Sequence, residues 1–231
     1  MGKIIELIDV TKNSLISKKK KNSEDKDNKI LDKINLSIEE GEVVSILGDL
    51  SSGNKELIYV MSTLDTISSG MINCNDKRTD WMSEKDKMDV RLQEYGIILN
   101  EDMLIDNLNV EDNIRLLQGM NDAEAEEDYA NDIIKTLAVD EIKEKNPREL
   151  SDVEYKKAVI ATILLKQPKI IFAEDFVMDL EEDKALECIQ ILVDLAKKYH
   201  ITLVYATSND KVAEVADRVE KMSQGKMRIL M

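Results

Sequence analysis

The chain has 231 residues, 43% of them hydrophobic and 34% charged, with a formal net charge of −15. That length builds one substantial core, or a core with a smaller attached unit. The acidic balance excludes nucleic acid as the main partner, because a phosphate backbone demands a basic face, and it weakens direct adhesion to anionic lipid.

In chain order, "MGKIIELIDV" alternates like a strand and lacks the continuous apolar stretch of a signal peptide. "SKKKKNSEDKDNK", Ser17 to Lys29, is of low complexity. Its lysines are offset by Glu24, Asp25 and Asp27, which predicts a solvated loop. "INLSI" and "EVVSIL" read as further strands, and their close spacing without intervening helices predicts an antiparallel sheet near the N-terminus. No apolar run approaches the roughly 20 residues of a membrane span. Cys74 and Cys188 are too few and too far apart for a disulfide framework. A cytoplasmic chain with no direct membrane insertion is therefore expected.

"GDLSSGNKEL", Gly48 to Leu57, then follows a strand and opens a helix, in the outline of a phosphate-binding loop. Against the pattern G-x-x-x-x-G-K-[ST], Gly48 and Gly53 fit, but Asn54 stands where the lysine belongs and Lys55 where the hydroxyl belongs. After the strand "YGIIL" the pattern turns helical and acidic, notably in "NDAEAEEDYANDIIKTLA", which predicts a helical subdomain inserted between two core strands. Two amphipathic helices, "DVEYKKAVIATILLK" and "EEDKALECIQILVDLAKKYH", alternate with the strands "KIIFA", "ITLVYATS" and "DRVEKM". That alternation predicts a parallel α/β sheet covered on both faces. Trp81, His200 and the two cysteines show no ligand spacing and read as packing residues. No metal site is expected.

The later landmarks are in register with the phosphate loop. "YGIILNEDMLIDNLNVEDNI" resembles the Q-loop stretch of ABC-transporter ATPases, with Asn100 at the glutamine position. "LSDVEYKKAVIATILLKQPKIIFAEDFVMDLE" resembles the signature motif, its helix, Walker B and the D-loop, and "TLVYATSNDKVAEVADRVEKMSQGKM" the switch segment and the strand pair after it. The resemblance covers almost the whole chain, and is strongest to the ATPase subunits of lipoprotein-release and macrolide-export systems. It implies an α/β fold: a P-loop NTPase-like ABC ATPase core with an N-terminal antiparallel sheet and an inserted helical subdomain. The whole is expected to be a single domain, with core 1–99 and 166–231 and the helical subdomain at about 100–165. Pro147, Pro168, Gly41, Gly48, Gly53, Gly70, Gly96 and Gly225 fall where that family has them, which agrees with a retained scaffold.

The same resemblance marks the positions that would touch nucleotide, and nearly all have changed. The adenine-stacking aromatic falls near Ser14, where no ring is in reach. Asn54 replaces the lysine that neutralises phosphates, and Lys55 the hydroxyl that ligates Mg²⁺. One step along a helix turns a side chain by about 100°, so Lys55 does not simply stand in for the lost lysine. Ser51 replaces a loop glycine, and Glu56 places a carboxylate in the first helical turn, where the helix dipole would otherwise favour phosphate. Glu174-Asp175 inverts the Walker B pair, and Ser208 replaces the switch histidine. In the signature, Asp152 and Val153 replace two glycines, while Ser151 and Glu154 spell S-x-x-E, a capping box that satisfies the helix start by itself.

These substitutions predict a non-catalytic, pseudo-ATPase member that docks on a membrane permease, a partner ATPase or a second copy of itself, peripheral to the inner face of the membrane. No cofactor is expected on that reading. The alternatives are a divergent but active ABC ATPase that uses ATP and Mg²⁺ to energise export, and a soluble regulatory or scaffold protein on the same fold. Leu104, Leu108, Val110 and Ile114 keep the apolar rhythm of the stretch beside which a permease helix docks in the family, a rhythm equally compatible with the subdomain's own core.

Overall fold

The computed structural model describes residues 2–14, 29–119 and 126–228. The low-complexity stretch from Ser17, up to residue 28, lies outside them.

Four strands form the first sheet, in the order β2 (Lys29–Glu39), β1 (Lys3–Asn13), β4 (Ser69–Cys74) and β5 (Lys77–Arg78), every pair antiparallel. The second sheet runs β10 (Lys226–Arg228), β9 (Arg218–Ser223), β3 (Val43–Leu47), β8 (Thr202–Thr207), β7 (Ile170–Glu174) and β6 (Tyr95–Ile98). Its neighbours are parallel from β9 to β6, and only β10 turns back. The helices are α1 (Asn54–Met61), α2 (Glu84–Gln93), α3 (Val110–Gly119), α4 (Glu127–Thr136), α5 (Val139–Ile142), α6 (Asp152–Leu164), α7 (Glu182–Lys198) and α8 (Asp210–Ala213). Among the described residues between β6 and β7 there are helices and turns but no strand.

Successive strand residues point to opposite faces, and the parallel strands use both faces. Val44 and Ile46 of β3, Ile170 and Phe172 of β7, and Val204 and Ala206 of β8 pack with α1 and the antiparallel sheet. Val43, Ile171, Ala173, Leu203 and Tyr205 pack instead with α6, α7 and the helices between β6 and β7. This double burial explains why these strands read as unbroken apolar runs.

Three elements carry too weak a signal to be read from the sequence. In β4, "SGMINC", the fully buried positions are only Ile72 and Cys74. β5 is two residues long. Helix α2 buries only Lys87 and Val90, so its charges hide the helical period; a Ser83 cap that accepts from the Asp86 amide defines its start.

Leu104, Val110 and Ile114 are buried in the core of the helical region, and Leu108 is half-buried. Of the apolar residues in that stretch, Ile105 is the exposed one, at 48%.

Candidate functional site

Because β3, β8, β7 and β6 are parallel, their C-terminal ends share one edge, the edge where ligands bind in open α/β sheets. Leu47 pairs with Thr207, Glu174 with Ala206, and Ile98 with Ala173. The next residues beyond those ends are the phosphate-type loop, Asp175, Ser208 and the Asn100 turn. Positions far apart in the chain, Gly48, Asn100, Glu174 and Ser208, are thereby gathered at one place.

The loop folds upon itself. The Ser51 amide and hydroxyl both donate to Asp49 Oδ1, at 2.9 and 2.7 Å. The Ser52 amide donates to the Asp49 carbonyl, the Asn54 amide to Ser52 Oγ at 3.2 Å, and the Lys55 amide to Asn54 Oδ1 at 2.8 Å. Four backbone N–H groups of the kind that make such a loop an anion cradle, those of Ser51, Ser52, Asn54 and Lys55, are spent on the loop's own oxygens. Asn54 is buried and its Nδ2 donates back to the Gly48 carbonyl at 3.2 Å. Gly53 sits at φ +89°, and a Cβ there would come within 2.6 Å of the Ile30 carbonyl, so only glycine enters α1 this way. The Gly225 amide pins the loop from outside, donating to the Ser52 carbonyl at 2.8 Å. Leu50, at the tip, is 83% exposed, and Glu56 lies in the first turn of α1.

Lys55 does not face the loop. Its ammonium lies 3.2 Å from Glu174 Oε1 at the end of β7 and 5.2 Å from the Tyr59 ring centroid. Burial works to lower Lys55, but hydrogen bonds to Tyr59 and Glu174 outweigh it and hold the ammonium above the usual lysine value. The other oxygen of Glu174, Oε2, accepts the Asn100 amide at 3.2 Å. One buried carboxylate thus ties together α1, β7 and the Asn100 turn.

Asp175, next along, is different. It is buried, adopts φ +43°, and its Oδ1 has no hydrogen-bond partner. Burial first, and the neighbouring Glu174 second, push its carboxyl above the usual aspartate range, against weaker pulls from the Ser208 backbone and Lys55. The Ser208 side chain is at an exposed position just before α8, whose start is capped by Asn209 instead.

Ser151 and Asp152 lie at the start of α6, where Asp152 shares a groove with Asn100, and no hydrogen bond or ion pair among the described residues joins them to the phosphate-type loop. Ser151 caps α6: its Oγ accepts the Glu154 amide at 3.4 Å, and Glu154 Oε2 accepts the Ser151 amide at 2.7 Å. Lys145, 2.7 Å from Glu154 Oε1, leads in pulling the Glu154 carboxyl down to about 2. Asp152 is exposed and lines an open groove of about 680 Å³ that also takes in Asn100, Asp106, Arg148 and Asp179.

Two contributors escape a motif reading. Tyr155 accepts the Met103 and Leu104 amides on its hydroxyl, at 2.8 and 3.2 Å, and so fastens the chain after Asn100 to α6. Asp49 closes the loop; an Asp two residues before a Ser in a Gly-rich stretch is an Asx-turn signal that could have been read.

A protein-family model described as ABC transporter matches residues 31–176. Among curated relatives, a lipoprotein-releasing system ATP-binding protein, LolD, of Cytophaga hutchinsonii is 30% identical, covering 85% of this chain and 90% of that one. A bacitracin export ATP-binding protein, BceA, of Halalkalibacterium halodurans is also 30% identical, covering 86% and 79%. In structure, the ATP-binding cassette MJ0796, solved as a dimer bound to ADP and Pi, superposes with a TM-score of 0.82 over 97% of both chains at 22% identity. The cbiO1 protein of Clostridium perfringens gives 0.83 over 99% of this chain and 88% of that one, at 23% identity. With the motif register retained along a cassette fold, the chain belongs to the ABC transporter family, as one of its ATP-binding domains.

Proposed function

We propose that this chain is a non-catalytic ATP-binding-type subunit of an ABC system of the release or export kind. It docks on a membrane permease or a partner ATPase at the inner face of the membrane. The two 30%-identical relatives, one named for lipoprotein release and one for bacitracin export, support the system type. The groove beside Asn100, with Ile105 exposed near it, supports a docking role for this face.

The observation that carries the non-catalytic reading is the position of Lys55. The family's cofactor is Mg-ATP, and the residues present do not fit it. A fixed ammonium 3.2 Å from Glu174 stands where a metal would need a ligand, and like charges repel. Asn54 brings no charge to a phosphate and is turned to Gly48, while the Ser51, Asn54 and Lys55 amides are already hydrogen-bonded within the loop. Each missing charge-assisted contact costs about 1.5 to 3 kcal/mol. Two of them move a micromolar site to millimolar, since ~1.4 kcal/mol is tenfold in affinity. A second reading, a divergent but active ATPase, draws on the two carboxylates retained at the end of β7, Glu174 and Asp175.

Calorimetry with Mg-ATP on the unmodified chain, followed by phosphate release, separates the two. The expected result is no binding at micromolar ligand and no turnover, alone or mixed with an intact ATPase subunit. Micromolar binding with steady phosphate release would sink the non-catalytic reading and promote the other.

A further inference from the structure

We propose that the Lys55 ammonium is a built-in cation: tethered to α1 and paired with Glu174, it holds the start of α1, the end of β7 and the Asn100 turn together without a divalent metal. The inference rests on the non-catalytic reading and adds how the emptied site is kept assembled.

Three observations converge on it. First, the bridge is complete on both sides. Glu174 is 3% exposed; Oε1 faces the ammonium at 3.2 Å and Oε2 accepts the Asn100 amide at 3.2 Å. A carboxylate taken out of water must be matched in this way or it destabilises the fold. Second, the tether is the right length. A lysine stem carries its charge several ångströms beyond the backbone, into the space a short hydroxyl at the same position would leave for an ion. Third, the place is taken. The ammonium sits 3.2 Å from Glu174 Oε1, so a doubly charged ion approaching the same carboxylate oxygen would meet a fixed positive charge.

The consequence is a site insensitive to metal. Where a bound ion would make the contact between β7 and the Asn100 turn conditional, a covalently attached cation makes it permanent. The turn leads directly into the stretch fastened by Tyr155 to α6, so the orientation of the helical region is set by the chain itself.

The test uses the full chain without nucleotide, so it does not depend on ATP chemistry. Free Mn²⁺ is followed by electron paramagnetic resonance, and backbone exchange over residues 98–103 by hydrogen–deuterium mass spectrometry, in EDTA and in 10 mM Mg²⁺. For the wild type we expect no Mn²⁺ uptake at 1 mM and the same exchange in EDTA as in Mg²⁺. For Lys55→Ser, which replaces the ammonium with a hydroxyl, we expect Mn²⁺ uptake at least tenfold stronger than wild type. Exchange over 98–103 should be at least tenfold faster in EDTA and largely restored by Mg²⁺. Lys55→Gln, which keeps most of the stem without the charge, should show the faster exchange, and it serves should Lys55→Ser not fold. Wild-type Mn²⁺ binding as tight as the variant's would overturn the inference, as would unchanged exchange in Lys55→Gln. Either failure with no phosphate release would still leave the non-catalytic reading standing.

Discussion

The starts of α1 and α6 are helix N-termini at two positions where the family pattern would place nucleotide, and each is closed in a different way. At α6 the closure is local: Ser151 and Glu154, three residues apart, satisfy each other's backbone groups. At α1 the N-cap is Gly53, whose lack of a side chain leaves nothing to cap with. The first turn is instead closed by Asn54 folding onto the loop and by Lys55 reaching a carboxylate on β7. A helix start can therefore be closed by chemistry written in four consecutive residues, or by a pairing assembled only by the sheet. The two closures differ in what they cost to break, because the first lies at the surface and the second is half-buried.

The largest effect is expected at the long-range closure. Lys55→Met would leave Glu174 buried without its cation. Removing one partner of a buried pair costs about 3 to 5 kcal/mol. The Lys55 side chain is 48% exposed, so solvent supplies part of the loss and about 2 kcal/mol is expected, read from urea unfolding midpoints. A loss below ~0.5 kcal/mol would mean that the bridge is no stronger than a surface ion pair, and the contrast between the two helix starts would collapse. The next effect has the opposite sign. Asp175→Asn should stabilise the chain by about 1 kcal/mol at neutral pH, because it removes a buried charge beside Glu174. Asparagine also tolerates the positive φ held there. The sign with pH follows from a carboxyl held above its ordinary range. Below the unfolded value, about 3.9, the acid is neutral in both states and the variant gains nothing. As pH rises through that range the wild type pays to ionise, and the gain appears. Unfolding midpoints at pH 3.5 and pH 7 check this; a gain of equal size at both would point to backbone conformation rather than charge.

How much of this was legible from sequence depends on the range of the interaction. The strands β3, β7 and β8 announce themselves as apolar runs because both faces are covered, and α6 and α7 by their period. The capping box at Ser151 is readable for the same reason it works: its partners are neighbours. The Lys55–Glu174 pair joins residues more than a hundred positions apart, and nothing near Lys55 marks its partner. The turn by about 100° per residue says only that Lys55 points away from the position Asn54 has taken. It takes the parallel register of β3, β8 and β7 to bring Glu174 under it. The apolar rhythm of Leu104, Leu108, Val110 and Ile114 is compatible with docking and with core. Burial places Leu104, Val110 and Ile114 in the core and leaves Leu108 half-buried, while Ile105, outside that rhythm, is exposed.

The smallest effect belongs to the local closure, and its pH dependence identifies its cause. Glu154→Gln preserves the hydrogen bond to the Ser151 amide, since glutamine serves equally in a capping box. It removes the charge that faces Lys145 and the positive end of α6. The Glu154 carboxyl is pulled down to about 2, against about 4.3 in an unfolded chain. A depressed acid contributes stability above its unfolded value and loses it as pH falls through the folded one. The wild-type advantage should therefore be whole at pH 7, start to shrink below about pH 4.5, and be nearly gone close to pH 2. The side chain is 31% exposed, so screening reduces the contribution to about 0.5 to 1 kcal/mol. Unfolding midpoints of both proteins at pH 7, 4, 3 and 2.5 measure it. A gap that stays constant across that series would show that side-chain fit, not charge, closes this helix. In that case α6 would differ from α1 in kind as well as in range, because α1 is closed by a charge that a neutral side chain does not replace.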